Sequence, residues 1–157
     1  MTAKRTLIAA GLFVIATQFV KPQRTNAPEK AAQTLQASTP ISSGTSQILE
    51  RSCADCHSDR TFRPWYSNVA PASWLIVNDV NEGRGKLNYS RWSSYTAQQR
   101  VKLLTKICEE VSNGEMPVGS YLLVHRHAKL NYLESQALCQ WTQELRQSSG
   151  LLFGQTQ

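Results

Sequence analysis

The chain has 157 residues, enough for one domain and short of two. Its 17 Lys and Arg against 11 Asp and Glu give a formal net charge of +6. Residues 1–30 hold five of the bases and one of the acids, which leaves 12 against 10, a balance of +2; no basic stripe with interleaved aromatics remains, so nucleic-acid binding is disfavoured.

In chain order, Lys4 and Arg5 precede an apolar run from Leu7 to Ala16 that continues, with Thr17 and Gln18 interrupting, to Val20. A charge followed by an apolar run is the layout of an export signal. The run is shorter than the roughly 20 residues a spanning helix prefers. Ala27 is followed by Pro28, a poor residue just after a cut. Residues 1–20 are therefore read as a signal peptide or a short membrane anchor, with the anchor favoured because Lys21 and Arg24 can reach the far headgroups. Residues 21–45, with Pro22, Pro28 and Pro40 among Ser, Thr, Ala and Gln, read as a flexible tether.

Helical periodicity dominates the rest, and strand signals are nearly absent. A first helix is expected over 46–56, capped by Thr45, with Ile48, Leu49 and Cys53 on one face. It ends in Cys53-Ala54-Asp55-Cys56-His57. Two thiols three positions apart sit one helical turn apart, which matches the two vinyl groups of a haem, and the histidine that follows supplies an axial nitrogen. This is the attachment signature of a c-type haem. Three other readings of the pair are weaker. A zinc knuckle wants a second close ligand pair, whereas Cys108 and Cys139 stand alone and far apart. A thioredoxin-like pair wants a strand before it, and residues 46–52 look helical. A structural disulfide inside one helical turn is disfavoured.

Residues 58–70 read as irregular, with Pro64, Trp65 and Tyr66. Pro71 suits the first turn of a second helix. That helix carries Trp74, Leu75, Val77 and Val80 and stops near Glu82, before Gly83 and Gly85. Residues 84–95 read as loop. A third helix is expected over 96–112, with Val101, Leu104, Ile107, Cys108 and Val111 on its buried face and Asn113-Gly114 as its stop. A loop then carries Met116-Pro117, and residues 120–126 read as a short helical turn. The last helix starts at Asn131, with Glu134 in capping-box spacing and Leu133, Ala137, Leu138, Trp141 and Leu145 along one side. Residues 46–147 form the folded domain and 148–157 a tail.

A haem held by one histidine has a sixth iron position, and a protein ligand there makes an electron carrier. Met116, braced by Pro117, is the first candidate; the chain's other methionine is Met1. His125 is the alternative and would give a lower potential, and His127 reads as a surface residue. Arg84, Lys86, Trp65, Tyr66 and Trp92 are the available donors for haem propionates, each also explicable by packing or solvation. Cys108 and Cys139 fall on two helices and are either a disulfide or two buried thiols; spacing leaves both open.

The order of parts resembles a class I cytochrome c: a helix with CxxCH, intermediate helices, a Met-Pro loop and a terminal helix with an aromatic. More narrowly the chain is similar to the bacterial haem-binding-domain family of cytochrome c type. The matching residues are Cys53 to Ser58, Thr61, Pro64 to Ser67, Pro71, Ser73-Trp74, Gly83-Arg84, Leu87 to Ser90 and Trp92, then Gly114 to Pro117, Tyr121, His125, Ala128, Leu130, Glu134 and Trp141. Gln18 to Pro22 also looks like that family's leader, so the resemblance covers about 18–145. Asp59 stands where the family usually has asparagine and keeps a short acceptor there. The resemblance implies one covalent haem c, with its iron, held through Cys53, Cys56 and His57, and Met116 as distal ligand.

The combined expectation is an all-α domain of about four helices around a covalent haem, outside the cytoplasm in the periplasm and tethered to the inner membrane. It would pass single electrons between redox proteins that dock transiently, and it would not be an enzyme or take a small-molecule substrate. The rival is a haem-based sensor or peroxidase-like protein with an open or labile sixth position.

Overall fold

A computed structural model describes residues 2–153. Among them there are eight α-helices, four 3₁₀ turns and no strand. The helices are α1 (Thr2–Thr17), α2 (Leu35–Ser38), α3 (Ser43–Ser52), α4 (Ala54–His57), α5 (Ala72–Lys86), α6 (Ala97–Ser112), α7 (Gly119–Leu122) and α8 (Tyr132–Phe153). The all-α expectation holds. Beyond α1, four helices have ten or more residues, in line with the expected four, and α2, α4 and α7 add single turns.

Local signals placed the later helices well. Thr96 caps α6 in a full capping box with Gln99. Asn131 and Glu134 exchange backbone-to-side-chain hydrogen bonds of 2.9 Å at the start of α8. Three expectations need correction. The first helix begins at Ser43, not 46: Ser42 is the cap, taking the Thr45 N–H at 3.0 Å, and Thr45 is buried inside. Nor does that helix run unbroken into the attachment motif, because Cys53, at φ −130°, separates α3 from α4. The second helix does not stop at Gly83 but continues to Lys86. Gly83 faces the attachment motif: a Cβ there would lie 2.6 Å from the Cys56 carbonyl oxygen. The glycine therefore serves close helix approach rather than termination.

The core joins Leu35, Leu49, Leu87, Tyr89, Trp92, Leu104, Ile107, Val111, Leu138, Trp141 and Leu145. α6 packs along α8, α3 crosses α8, and α4 lies on α5. Arg51 on α3 pairs with Glu134 on α8 at 2.8 Å. Cys108 and Cys139 form a disulfide that links α6 to α8, which resolves the alternative left open by their spacing. α8 runs through residues read as tail as far as Phe153, and residues 154–157 lie outside the described ones.

The segment expected as a flexible tether is instead laid against the domain. The Gln18 amide pairs with both backbone groups of Ala70, at 2.9 and 3.3 Å. Trp74 Nε1 donates to the Val20 carbonyl at 2.8 Å, and Asn26 Nδ2 donates to the Thr61 carbonyl at 3.1 Å. Arg84 donates to the Thr25 carbonyl and to Asn26 Oδ1, and Ser90 bonds Glu29. Leu35 is fully buried, and Trp141 Nε1 donates to the Pro40 carbonyl. Such a strap carries its own hydrogen-bond partners into the fold, which a disordered linker cannot do. α1 presents Leu7, Ile8, Leu12, Phe13, Val14 and Ile15 outward, each more than half exposed. Among the described residues no helix is long and apolar enough to cross a membrane.

Candidate functional site

Cys56 and His57 lie on the single turn α4 with Cys53 at its N-cap, and Gly83 lets this turn approach α5 closely. His57 Nδ1 lies 3.0 Å from the Gly83 carbonyl oxygen and 3.1 Å from that of Leu87. Both partners can only accept, so Nδ1 carries the proton and donates. The tautomer is thereby set, and Nε2 keeps its lone pair for a metal. Burial lowers the imidazole's basicity, against the opposing pull of the two carbonyls, so the ring is neutral at physiological pH. Its face lies 6.0 Å from the ring of Tyr89, a core residue.

The two thiols are free and half-buried. Burial pushes Cys53 up to about 11, opposed by the Tyr89 hydroxyl and the Arg51 charge. Burial and then the negative charges of Asp55 and Asp79 push Cys56 up to about 11. Both are neutral thiols at pH 7. A disulfide oxidoreductase needs the opposite shift on its attacking thiol. Among the described residues no group of three or more His, Cys, Asp or Glu could hold a metal ion, so the zinc reading finds no further ligands beside the pair.

The loop after His57 is tightly fixed. Asp59 is buried and accepts from Asn88 Nδ2 at 2.9 Å and from Arg91 Nε at 3.1 Å. Arg84 Nε donates to the Ser58 carbonyl at 2.7 Å, Nη2 donates to Thr61 Oγ1 at 2.8 Å, and the guanidinium lies 3.7 Å from Asp59. Asp55, between the two cysteines, accepts from the Phe62 N–H at 2.9 Å and from the Tyr121 hydroxyl at 2.8 Å. Tyr121 in turn stacks on His125, with ring centroids 4.1 Å apart.

The candidates for the sixth iron position differ in their surroundings. Met116 is half-buried and packs against the core cluster, as Cys53 does. Its loop is pinned to the end of α6, since the backbone N–H groups of Glu115 and Met116 both donate to the Glu110 carbonyl, at 3.0 and 3.2 Å, and Gly114 turns the chain at φ +72°. His125 has both ring nitrogens in use: Nε2 lies 2.9 Å from the Tyr66 hydroxyl and Nδ1 lies 3.2 Å from the Tyr121 carbonyl. Iron ligation by His125 would break one of these. His127 is exposed and meets only the edge of the His125 ring, 5.9 Å away.

Of the candidate propionate donors, Arg84 is committed to the strap and the Ser58–Thr61 loop, Tyr66 bonds His125, and Trp65 and Lys86 are exposed. Trp92 is different: it is 1% exposed, and its Nε1–H is buried with no acceptor. Trp92 shares the core cluster with Tyr89, and its buried donor is left for an acceptor that the protein itself does not supply. The residues present therefore fit a haem: a neutral imidazole with its outer nitrogen fixed, two thiols beside it, an apolar wall with Met116 at its border, and one unsatisfied donor within.

Sequence reasoning missed the Gly83 and Leu87 carbonyls, the Tyr89 neighbour of Cys53 and the Asp55–Tyr121 contact. Backbone acceptors carry no residue-type signal. Only the two glycines within an otherwise helical stretch hinted that α5 runs close to something.

A family model described as a haem-binding domain matches residues 12–144. No curated protein and no solved structure matches.

Proposed function

The chain belongs to the haem-binding domain family, and we propose that within it this protein is a c-type cytochrome that carries single electrons. The observation that carries the reading is the His57 ring, fixed through Nδ1 by two carbonyls 3.0 and 3.1 Å away, on the same turn as two unpaired thiols. When bound, the haem iron supplies a one-electron couple between its ferric and ferrous states. The chain's part is to hold and tune it. Cys53 and Cys56 would hold the haem covalently through thioether bonds to its two vinyl groups. His57 gives Nε2 to the iron, and the hydrogen bonds at Nδ1 raise its basicity as a ligand. Met116 would supply a thioether as the iron's second protein ligand, a donor that favours the reduced state. Trp92 donates to a propionate.

The protein works outside the cytoplasm. α1 enters a lipid bilayer and keeps the domain at the membrane surface, and the Cys108–Cys139 disulfide suits an oxidising compartment. Its redox partners dock briefly over a small area.

The test is a visible spectrum and an intact mass of the full chain, expressed with a haem-maturation system. The expected product is red and heavier by one haem, with the added mass retained under denaturing conditions. A colourless product of unchanged mass overturns the reading. Met116→Ala should lower the potential and erase the weak far-red sulfur-to-iron band of the oxidised protein. Fast, tight carbon monoxide binding to the reduced wild-type protein would instead place it among open-site haem proteins.

A further inference from the structure

The strap fixes the direction in which α1 leaves the domain. Gln18, one residue beyond α1, is clamped to Ala70 through both amide atoms. Val20 is held by Trp74, and Arg24 bonds Asn68. The chain that leaves the apolar helix is therefore tied to Ala70 and Trp74 rather than carried on a loose linker.

The surface around that junction is apolar where it should be wet. Phe19 and Val20 are 82% and 64% exposed, and Trp65 and Leu75 are 76% and 64% exposed. Val69 adds a fifth exposed apolar side chain beside Asn68 and Ala70. Five exposed large apolar side chains on two segments joined at Ala70 and Trp74 mark an interaction surface. Two arginines stand at the junction, with Asp79 one helical turn beyond Leu75. Arg24 and Arg63 lie close enough that burial and the Arg24 charge together depress Arg63's basicity. Each bonds a neutral amide oxygen, of Asn68 and Asn26 respectively, and among the described residues neither is in an ion pair. Two adjacent guanidiniums with no carboxylate partner call for external anions. Lys21 follows Val20 in the chain.

We propose that the face formed by Phe19, Val20, Trp65, Val69 and Leu75, bordered by Arg24 and Arg63, seats the folded domain on an anionic lipid bilayer in one fixed orientation. This rests on the reading that α1 enters the membrane. Apolar side chains that follow a membrane-seeking helix can reach the same bilayer, and basic residues near an anionic surface strengthen the attraction. Trp65 is the residue type that favours the headgroup level. The domain is thus pinned flat rather than floating on a tether.

The test uses the full haem-loaded chain in vesicles of phosphatidylcholine with phosphatidylglycerol. A nitroxide is placed by Leu75→Cys, and a control by Gln98→Cys at an exposed position of α6. The other cysteines are then bonded to haem or to each other. The expected result is a several-fold loss of collisions with a water-soluble relaxant at position 75 relative to detergent, with position 98 unchanged. Replacing Arg24 and Arg63 together by Gln should abolish the added protection that phosphatidylglycerol gives over phosphatidylcholine alone. If the chain co-sediments with vesicles but position 75 stays as wet as in detergent, the face is wrong and the anchor stands. If the chain does not co-sediment, the anchor reading fails and takes the face with it.

Discussion

The Gly83 carbonyl oxygen and His57 Nδ1 are 3.0 Å apart, across 26 residues of sequence. The same glycine leaves no room for a side chain, because a Cβ would meet the Cys56 carbonyl oxygen at 2.6 Å. One residue thus sets the distance between α4 and α5 and, together with the Leu87 carbonyl, the orientation of the imidazole.

Gly83→Ala should therefore separate steric from helical effects. Alanine favours helix, so propensity alone predicts a gain of up to about 1 kcal/mol. The clash is with backbone, which cannot rotate away, so overpacking of about 1–3 kcal/mol should win. The expected outcome is a lower melting temperature together with an altered haem absorption band. Gly85→Ala, where nothing lies within 4 Å, should not destabilise and serves as the control.

The two thiols of the haem-free chain should be sluggish nucleophiles. With both pushed up to about 11, their thiolate fraction near neutral pH is lower than that of free cysteine, pKa about 8.5, by a factor on the order of 10². Alkylation by iodoacetamide should be slowed by about that factor and should keep accelerating as pH rises past 9. A raised acid stays protonated below its folded value, so the reactive form appears only on the alkaline side. Unfolding in urea should restore ordinary rates. Reaction as fast as free cysteine in the folded chain would contradict the environment described for the pair.

Arg84→Ala removes the clamp between the strap and the loop that follows His57. Breaking a buried ion pair costs about 3–5 kcal/mol when the remaining charge has no other partner. Asp59 keeps Arg91 and Asn88, so a smaller loss of about 2–3 kcal/mol is expected. Limited trypsin digestion should then cut faster at Arg24 and Lys30, because the strap has lost its Thr25 and Asn26 contacts. Arg84→Lys should rescue only partly, since one ammonium cannot span the acceptors that the planar fork reaches.

Replacing Cys108 and Cys139 together by serine opens a loop closed across a sequence separation of 31 residues. Chain entropy assigns such a crosslink about 3–4 kcal/mol. The expected outcome is a lower denaturation midpoint with the haem spectrum unchanged, because the bridge ties α6 to α8 and does not touch His57. Reductant should lower the wild-type midpoint and leave the double variant's midpoint where it is.

The sequence by itself determined whatever depends on neighbours a few residues away. The Cys53–Cys56–His57 register, the caps at Thr96 and Asn131, the apolar stripe of α6 and the Gly114 turn are all set within a turn or two of chain. Tertiary structure alone decided the rest, because the deciding partners are remote. Gly83 and Gly85 read as a helix stop by local rules, yet the helix continues, since Cys56, 27 residues before Gly83, needs the space. Residues 18–29 read as leader and tether by composition, yet their hydrogen-bond partners at Ala70, Trp74, Arg84 and Ser90 stand more than 50 residues on, so most of the interactions that order them are non-local. His125 is engaged by Tyr66, 59 residues away, and the choice between disulfide and thiols at Cys108 and Cys139 turned on how α6 lies against α8. Local spacing can specify a turn and the chemistry it carries. Which distant surfaces close over that turn is fixed only when burial and hydrogen bonding are satisfied across the whole fold at once.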